Sequence, residues 1–337
     1  MIIIFSNNQD YSTFDVMQWL AHLGEKNVLR INSKSFNNDL KKRVTINGEN
    51  ADFYFEIGDK TFAISDVKAI WYRKGSNWLN DEFFKIEIEN HETLSAHLTR
   101  RMESERQKLG DYINYIMSTT TPVLGTAFKN DLNKLIVLDQ AKSVGLKVPD
   151  FAVSNSKNWI SKFLDNSTTG IITKSMSEGI YLFDSDRKMK GYFTYTEEVK
   201  KADLQNIEEN IVPSFVQNKV EKAFEVRSFF MEGTFYSMAI FSQDDAKTKI
   251  DFRKYNEEKP NRMIPYILPN EITAQLSELF KLIGLNTGSV DLLVDEKDNF
   301  YFLEINPVGQ FGMVSLPCNY FLEKKVAINL MKKCKTN

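Results

Sequence analysis

Residues 288–310 read GSVDLLVDEKDNFYFLEINPVGQ, and this stretch decides how the rest of the chain is interpreted. Two apolar runs flank the polar residues 296–299, a pattern typical of a β-hairpin. With the turn centred there, Asp291 lies directly opposite Glu304. Asn306 is two residues further on and shares that face if the strand continues. The pattern therefore predicts two carboxylates and one amide gathered on one face of a hairpin.

The same register makes Leu293 face Phe302 and Asp295 face Phe300, so the acidic face also carries apolar side chains. Carboxylates facing each other across two strands repel, and partial burial makes that repulsion costly. A hard cation between them relieves it, and a set of oxygen ligands suits Mg²⁺, which takes phosphates and water as its other ligands. The alternative is a solvated hairpin end whose acids are ordinary surface charges.

A magnesium site that receives phosphates needs positively charged partners, and the chain offers several. Lys134 lies in the first turns of a predicted helix, and Lys174 ends the apolar strand IITK. Arg227 alternates with apolar residues in AFEVRSFF, and Arg253 follows Asp251 in KIDFRK. Together with the oxygen set they favour phosphoryl transfer, which depends on positioning and charge neutralisation. Each cation alone also fits a surface role, and neither a GxxxxGK[ST] nor a GxGxxG phosphate loop occurs.

Composition excludes several other classes of function. The 337 residues carry a formal net charge of −2, which argues against a general nucleic-acid coat or a membrane-surface binder. Two cysteines and three histidines leave no material for a disulfide framework or a cysteine-based zinc site, and little for Ser-His-Asp or Cys-His catalysis. No apolar run is long enough to span a membrane, and the N-terminus lacks the basic region of a signal peptide. We therefore expect a cytoplasmic protein with no nucleic-acid or membrane partner.

The pattern along the chain predicts three domains: 1–120, a small α/β domain with a long helix; 121–213; and 214–337, which carries the acidic hairpin. The charged amphipathic stretch 89–118 predicts that helix, which packs on its own domain or on a partner subunit. Residues 178–196 are typical of a hairpin.

Shorter elements follow from local signals. Asn130-Asp131 is expected to cap the helix LNKLIVLDQAKSVG, which Gly145 ends. A second helix is expected at 271–283, followed by a final pair of strands. Residues 45–64 predict a small antiparallel meander with Asn-Gly and Gly-Asp turns.

These motifs, taken in order, resemble the ATP-grasp superfamily. NDLNKLIVLDQAKSVGLKVPD resembles the helix that opens its central domain, IITKSMSEG the lysine strand and phosphate loop, FVQNKVEKAFEVR the adenine hinge, and D…E-x-N the magnesium motif. More narrowly, VQNKVEKAFEVR, AIFSQ, KIDFRKYN and FLEINPVGQF resemble the macrocyclases of microviridin-type peptides, the graspetides. The resemblance covers about residues 65–315. It implies an α/β ATP-grasp fold of three subdomains, with the nucleotide between two lobes that contain antiparallel sheets.

The resemblance also implies roles for individual residues. ATP and Mg²⁺ would be the cofactors, and a precursor peptide with leader and core segments would be the partner, its leader held by about residues 178–210. A homodimer is a reasonable expectation. The implied contacts are Lys134 and Lys174 with ATP phosphates; backbone groups of Asn218 and Val220 with adenine; Gln217 and Lys219 with the adenine pocket; Glu225 with the ribose; Asp291, Glu304 and Asn306 with Mg²⁺; and Arg227 and Arg253 with the transferring phosphoryl group, Asp251 orienting Arg253.

Two alternatives qualify these roles: Glu225 could simply pair with a lysine, and Gln217 could be an ordinary strand-edge amide. The implied activity is an ATP-dependent macrocyclisation in which an Asp or Glu side chain is phosphorylated. A Thr or Ser hydroxyl then closes an ω-ester, or a Lys amine closes an ω-amide, and the sequence leaves this choice open. A ligase that adds amino acids to a peptide or protein tail would share every nucleotide motif. The third hypothesis is a nucleotide-binding scaffold that recruits a peptide and catalyses no reaction.

Overall fold

The computed structural model describes residues 1–7, 10–31, 40–46, 51–57, 60–74, 88–89, 91–129, 131–177, 181–184, 190–243 and 260–335. The chain divides into two compact units, Met1–Asn130 with Phe321–Asn337, and Asp131–Tyr320. The expected three-domain division at 1–120, 121–213 and 214–337 stays a prediction.

The first unit contains strands β1 to β7 and two helices before the chain leaves it. Their bounds are β1 (Ile2–Phe5), α1 (Tyr11–His22), β2 (Val28–Ile31), β3 (Leu40–Ile46), β4 (Ala51–Ile57), β5 (Lys60–Ala63), β6 (Ala69–Tyr72), α2 (Glu92–Thr120) and β7 (Val123–Leu124).

The second unit contains the remaining strands and most of the remaining helices. Their bounds are α3 (Lys134–Ser143), β8 (Phe151–Ser156), α4 (Lys157–Asn166), β9 (Ile171–Thr173), β10 (Tyr181–Asp184), β11 (Lys190–Phe193), β12 (Glu197–Val199), α5 (Lys201–Gln205), β13 (Asn210–Asn218), β14 (Lys222–Met231), β15 (Thr234–Phe241), β16 (Arg262–Tyr266), α6 (Asn270–Ile283), β17 (Thr287–Asp295), β18 (Phe300–Asn306) and α7 (Gly312–Cys318). The chain then returns to the first unit with α8 (Leu322–Lys335).

A parallel sheet of order β2-β1-β6-β7 forms the centre of the first unit. Its strands β1 and β6 are buried along their whole length, as their continuous apolar runs require when both faces of a parallel sheet are covered. Helix α8 packs on α1 and β6. A separate antiparallel sheet β3-β4-β5 confirms the predicted meander.

A buried ion pair lies where β1 and β6 of this unit end. The Nε of Arg73 lies 3.0 Å from Oδ2 of Asp10, and both side chains are almost fully buried. Burial opposes ionisation of the Asp10 carboxyl, but the charge of Arg73, the hydroxyl of Thr13 and the charge of Lys74 together hold its pKa below the ordinary value. Removing either partner would therefore leave an uncompensated buried charge and destabilise the folded protein.

Two sheets organise the second unit. The first has the order β12-β9-β13-β8, and the second is five-stranded and antiparallel with the order β16-β15-β14-β17-β18. One face of the five-stranded sheet packs with α3 and α6 in a core that includes Leu138, Phe280 and Phe302. Helix α6 ends at Gly284, whose left-handed backbone (φ 75°) suits glycine. Antiparallel pairing of β10 with β11 confirms the hairpin expected within 178–196.

The structure corrects the predicted register of the C-terminal hairpin. Val294, not Asp295, pairs with Phe300, and Leu293 pairs with Tyr301 instead of Phe302. A bulge at position 303 then shifts the pairing by one residue, so that Asp291 still lies opposite Glu304. Leu293 and Phe302 consequently lie on opposite faces of the sheet, and Phe302 belongs to the apolar core.

Two of the helices predicted from the sequence are confirmed, whereas the predicted helix cap is not. The helices expected at 89–118 and 271–283 are confirmed as α2 and α6. The predicted cap at Asn130-Asp131 is wrong, because Asn133 caps α3 and its side chain accepts hydrogen bonds from two backbone N–H groups of the first turn. Helices α7 and α8 follow the strand pair with which the sequence prediction ended. Among the described residues, no helix combines the length and apolar character needed to cross a membrane.

Candidate active site

The three oxygen-bearing side chains of the acidic hairpin lie together. Asp291 on β17 faces Glu304 on β18, and Asn306 follows two residues later. The Nδ2 of Asn306 donates to Oδ2 of Asp291 at 3.3 Å and to Oε1 of Glu304 at 3.5 Å. Carboxylate and amide oxygens are the donor set that Mg²⁺ takes, so these three neighbouring side chains are the candidate ligands of one ion.

Arg227 joins this group from the neighbouring strand. Strand β14 pairs with β17 so that Arg227 lies opposite Asp291. Its Nη1 donates to both carboxylate oxygens, each at 3.1 Å. Arg227 is only 7% exposed, and Met238, which faces it from β15, is fully buried. The guanidinium and the carboxylate therefore meet in an environment with little water, where their attraction is strong.

Lys134 reaches the same carboxylates from a helix. It is the first residue of α3, just after the Asn133 cap. Its Nζ lies 3.3 Å from Oε2 of Glu304 and donates to the backbone carbonyl of Ser175 at 2.8 Å. The side chain therefore links the segment after β9 to one of the two carboxylates.

Lys174 sits next to this contact, directly after β9, and its Nζ lies 5.7 Å from the ring centre of Phe215. The structure thus brings both predicted phosphate lysines to the region around Ser175.

The predicted adenine segment lies at the end of β13. Gln217 is 1% exposed, and neither its Nε2 nor its Oε1 has a hydrogen-bond partner. Asn218 also has a buried Oδ1 without a partner, while its backbone N–H donates to the carbonyl of Asp150 at 2.8 Å. Buried amide groups are nearly always paired in folded proteins, so these atoms mark a place where a polar partner is missing.

The two residues that follow are held differently. The backbone N–H of Lys219 donates to the carbonyl of Gly170 at 2.9 Å, and its Nζ lies 2.7 Å from Oε1 of Glu198. Val220 comes after β13 ends and is half-buried. The backbone donor of Asn218 and the ammonium of Lys219 are therefore already engaged within the protein.

Glu225 belongs to a buried polar cluster that the sequence prediction missed. Its Oε1 lies 2.5 Å from Nζ of Lys222 and accepts from Oγ of Ser242 at 2.8 Å. The alternative that Glu225 pairs with a lysine thus describes one of its contacts. A bulge at position 223 puts Lys222 and Glu225 on the same face, although residues three apart on a regular strand point to opposite faces. That bulge leaves no signal in the sequence.

Arg253 and Asp251 lie outside the described residues. Of the other predicted site residues, Lys134, Arg227, Asp291, Glu304 and Asn306 form one connected group by their contacts. Glu225 lies on the same face of β14 as Arg227, two residues before it.

The chain is similar to one known protein family and to several solved structures. Residues 1–111 match the family model of the MvdD pre-ATP grasp domain. The macrocyclase MdnC from Microcystis aeruginosa MRC, bound with the precursor peptide MdnA, is 26% identical with a TM-score of 0.75, over 98% of this chain and 99% of that chain. A Chryseobacterium gregarium RiPP-associated ATP-grasp ligase, in complex with ADP and a leader and core peptide, is 22% identical with a TM-score of 0.79, over 98% of this chain and 96% of that chain.

A third structure, the ATP-grasp ligase PsnB complexed with a phosphomimetic variant of its minimal precursor, Mg and ADP, is 16% identical with a TM-score of 0.71, over 98% of both chains. A search of curated protein sequences gave no significant match. The chain has the fold of the ATP-grasp ligases and is an enzyme, and its residues 1–111 match a pre-ATP-grasp domain. Within that class it resembles the microviridin-type peptide macrocyclases.

Proposed function

We propose that this ATP-grasp enzyme is a peptide macrocyclase. It phosphorylates an Asp or Glu side chain of a ribosomally made precursor peptide and closes an ω-ester with Thr or Ser, or an ω-amide with Lys. The observation that carries the proposal is the contact between a metal-type set, Asp291, Glu304 and Asn306, and two phosphate-type cations, Lys134 and Arg227. This constellation serves nucleotide-dependent activation of a carboxylate, and the structurally similar MdnC is a macrocyclase bound with a precursor peptide. The similar Chryseobacterium gregarium protein is an ATP-grasp ligase in complex with ADP and a leader and core peptide.

The chemistry starts from a carboxylate, which is a poor electrophile. One of its oxygens attacks the γ-phosphorus of ATP, the bond from that phosphorus to the β,γ-bridging oxygen breaks, and ADP leaves with the bond electrons. The resulting acyl phosphate is attacked by a hydroxyl or amine of the same peptide, and phosphate leaves as the ester or amide forms. The nucleophile gives up its proton to the departing phosphate or to water in this second step. The products are a ring, ADP and phosphate.

The residues divide this work by their chemistry. Asp291, Glu304 and Asn306 hold Mg²⁺, which supplies neutralisation of phosphate charge when it is bound. Lys134 and Lys174 hold ATP phosphates as point charges. Arg227 stabilises the transferring phosphoryl group, and we assign Arg253, oriented by Asp251, to the same task.

The nucleoside is bound by the β13 end and the Glu225 cluster. Gln217 and Lys219 line the adenine pocket, and backbone groups of Asn218 and Val220 contact the base. The two unpartnered amide atoms of Gln217 support this assignment, because a base with donors and acceptors would satisfy them. Glu225 accepts hydrogen bonds from the ribose hydroxyls through Oε2, while Lys222 and Ser242 contact its Oε1.

The partners follow from the same proposal. The precursor peptide carries a leader segment, held by about residues 178–210, and a core segment that is cyclised. The enzyme acts as a homodimer in the cytoplasm, and neither nucleic acid nor a membrane is a partner. Helix α2, with exposed apolar side chains such as Leu94, Met102 and Leu109, supports the dimer.

The test combines nucleotide turnover with product mass. The full chain is incubated with ATP, Mg²⁺ and a leader–core peptide encoded beside its gene, one with repeated Thr and Glu or Asp near its end. We expect ADP release that depends on the peptide, and a product that has lost one water per ring. A gain of amino-acid masses would instead establish a tail-adding ligase. Peptide binding without ADP release would establish a scaffold, and either result would overturn the proposal.

A further inference from the structure

The carboxylates proposed to hold the metal are already neutralised by the protein's own cations. Arg227 donates hydrogen bonds to both carboxylate oxygens of Asp291, and the ammonium of Lys134 forms an ion pair with Oε2 of Glu304. Two positive side chains thus face two negative ones, and Asn306 turns its amide nitrogen toward the carboxylates. Among the described side chains in contact here, the charges balance before any divalent ion enters.

This balance has a consequence for metal entry. A divalent cation that approaches Asp291 and Glu304 meets the guanidinium of Arg227 and the ammonium of Lys134 beside the carboxylate oxygens, and their repulsion offsets the attraction of the carboxylates. The repulsion disappears only if the cations find other anions nearby. The phosphates of a nucleotide are such anions, and both Lys134 and Arg227 lie where the proposed function puts phosphate contacts.

We propose that Arg227 and Lys134 are exchangeable counter-ions of the metal carboxylates, which make divalent-metal binding conditional on nucleotide. The proposal rests on the proposed function, since it assumes a metal–nucleotide substrate. Without nucleotide, the two cations hold Asp291 and Glu304 in place. When phosphates arrive, the cations transfer to them, and the carboxylates become available to the metal.

Lys134 is positioned to couple the two events. Its Nζ contacts both the Ser175 carbonyl, next to Lys174, and Glu304. Its place at the start of α3 is fixed by the Asn133 cap. A phosphate that draws this ammonium away therefore changes the surroundings of Glu304 and of the segment after β9 together.

The first arm of the test measures metal alone. Mn²⁺ is titrated into the nucleotide-free full chain, and free Mn²⁺ is read from its paramagnetic resonance signal. We expect weak binding to the parent and binding at least about tenfold tighter to Arg227→Gln and Lys134→Gln. One unit charge about 5 Å from a divalent ion has an effect of that size even at the dielectric constant of water. Lys134→Gln keeps the test decisive if Arg227→Gln does not fold, because Lys134 is the more exposed of the two side chains.

Matched controls remove a charge elsewhere in the same unit. Arg262→Gln and Lys281→Gln each delete an exposed cation, and we expect Mn²⁺ binding unchanged from the parent. Mn²⁺ binding that tightens equally in these controls would overturn the proposal, because the effect would then be one of overall charge. Binding no tighter in Lys134→Gln than in the parent would overturn it as well.

The second arm measures coupling by calorimetry, with ADP titrated in EDTA and then at saturating Mn²⁺. We expect ADP to bind the parent at least about tenfold more tightly with Mn²⁺, and linkage requires the same factor for Mn²⁺ with ADP. Equal ADP affinity in the two conditions would overturn the proposal. Asp291→Asn separates the two hypotheses: loss of Mn²⁺ binding in this variant upholds the metal site even if coupling is absent, whereas unchanged Mn²⁺ binding overturns the site and the proposed function together.

Discussion

Replacing Asp291 by Ala should destabilise the five-stranded sheet as well as stop turnover. Arg227 is 7% exposed and gives Nη1 to both oxygens of Asp291 at 3.1 Å. Its buried Nε has no hydrogen-bond partner, so the carboxylate is the main compensation that the described contacts give this charge. Removing one partner of a buried pair leaves an uncompensated charge, which costs about 3–5 kcal/mol.

Hydrogen exchange is the assay that resolves this cost within the second unit. Amides of β14 and β17 should exchange about two to four orders of magnitude faster in Asp291→Ala, since each 1.4 kcal/mol is about tenfold. Asp165→Ala is the matched control, because Asp165 pairs with Lys201 at 2.6 Å on the surface, where both side chains are largely exposed. That pair should be worth less than about 1 kcal/mol.

A double variant separates stability from catalysis. Arg227→Met with Asp291→Leu replaces the ion pair by apolar side chains of similar size, and such replacements are neutral or stabilising in other proteins. We expect slow exchange to return in β14 and β17 while ADP release stays abolished. Exchange in Asp291→Ala within a factor of about three of the parent would refute the buried-pair reasoning. ADP release retained by Asp291→Ala would refute the metal assignment.

Three further predictions follow from buried polar groups. Asp10→Asn should lower the free energy of unfolding by about 3–5 kcal/mol at pH 7, because the buried charge of Arg73 loses the carboxylate that pairs with it. The folded pKa of Asp10 is lowered, so its contribution to stability is present above the ordinary value of 3.8 and disappears as pH falls through the lower folded value. The stability of the variant should therefore fall less steeply than that of the parent below about pH 4. Equal acid-unfolding curves for parent and variant would contradict this. Gln217→Met should raise the thermal midpoint, because two unpaired buried groups, worth about 1–3 kcal/mol each, are removed, and it should weaken ADP binding; a lower midpoint would show that these atoms are satisfied in solution. Ser242→Ala should raise the KM for ATP and leave nucleotide-free Mn²⁺ binding unchanged, since it removes the hydrogen bond that Ser242 donates to Glu225; an unaltered KM would exclude Glu225 from the ribose contact.

The sequence predicts the hairpin, its opposed carboxylates and the helix carrying Lys134 because these depend on local patterns. The predicted pairing of Asp291 with Glu304 is correct, but the hairpin register that predicts it is not. The turn is set by Asp295, whose carboxylate accepts from the backbone N–H groups of Lys297 and Asn299 and so moves the register by one residue. The bulge at position 303 then restores the pairing. Two offsets that cancel cannot be seen in a pattern of alternating polarity.

Other features depend on contacts between distant parts of the chain. Helix α8 packs on α1, about three hundred residues earlier, and nothing in its own sequence names that partner. The burial of Gln217 depends on β8 and β9 lying on either side of β13. Sequence reasoning could name Gln217 as a pocket residue by resemblance. It could not show that both amide atoms are buried and lack partners, because that property belongs to the packed structure.

The two bulges of the five-stranded sheet act on the same face. The bulge at position 223 turns Lys222 toward Glu225, and the bulge at position 303 turns Glu304 toward Asp291. The opposite face is mainly apolar, with Val226, Leu292 and Phe302 buried with α3 and α6, and its two buried hydroxyls, Ser228 and Ser237, bond to each other. Apolar burial on one face therefore holds charged groups close together on the other, where strict alternation would separate them. Because that burial is independent of the charges, single charge substitutions on the polar face should change binding and local stability while leaving the sheet topology intact.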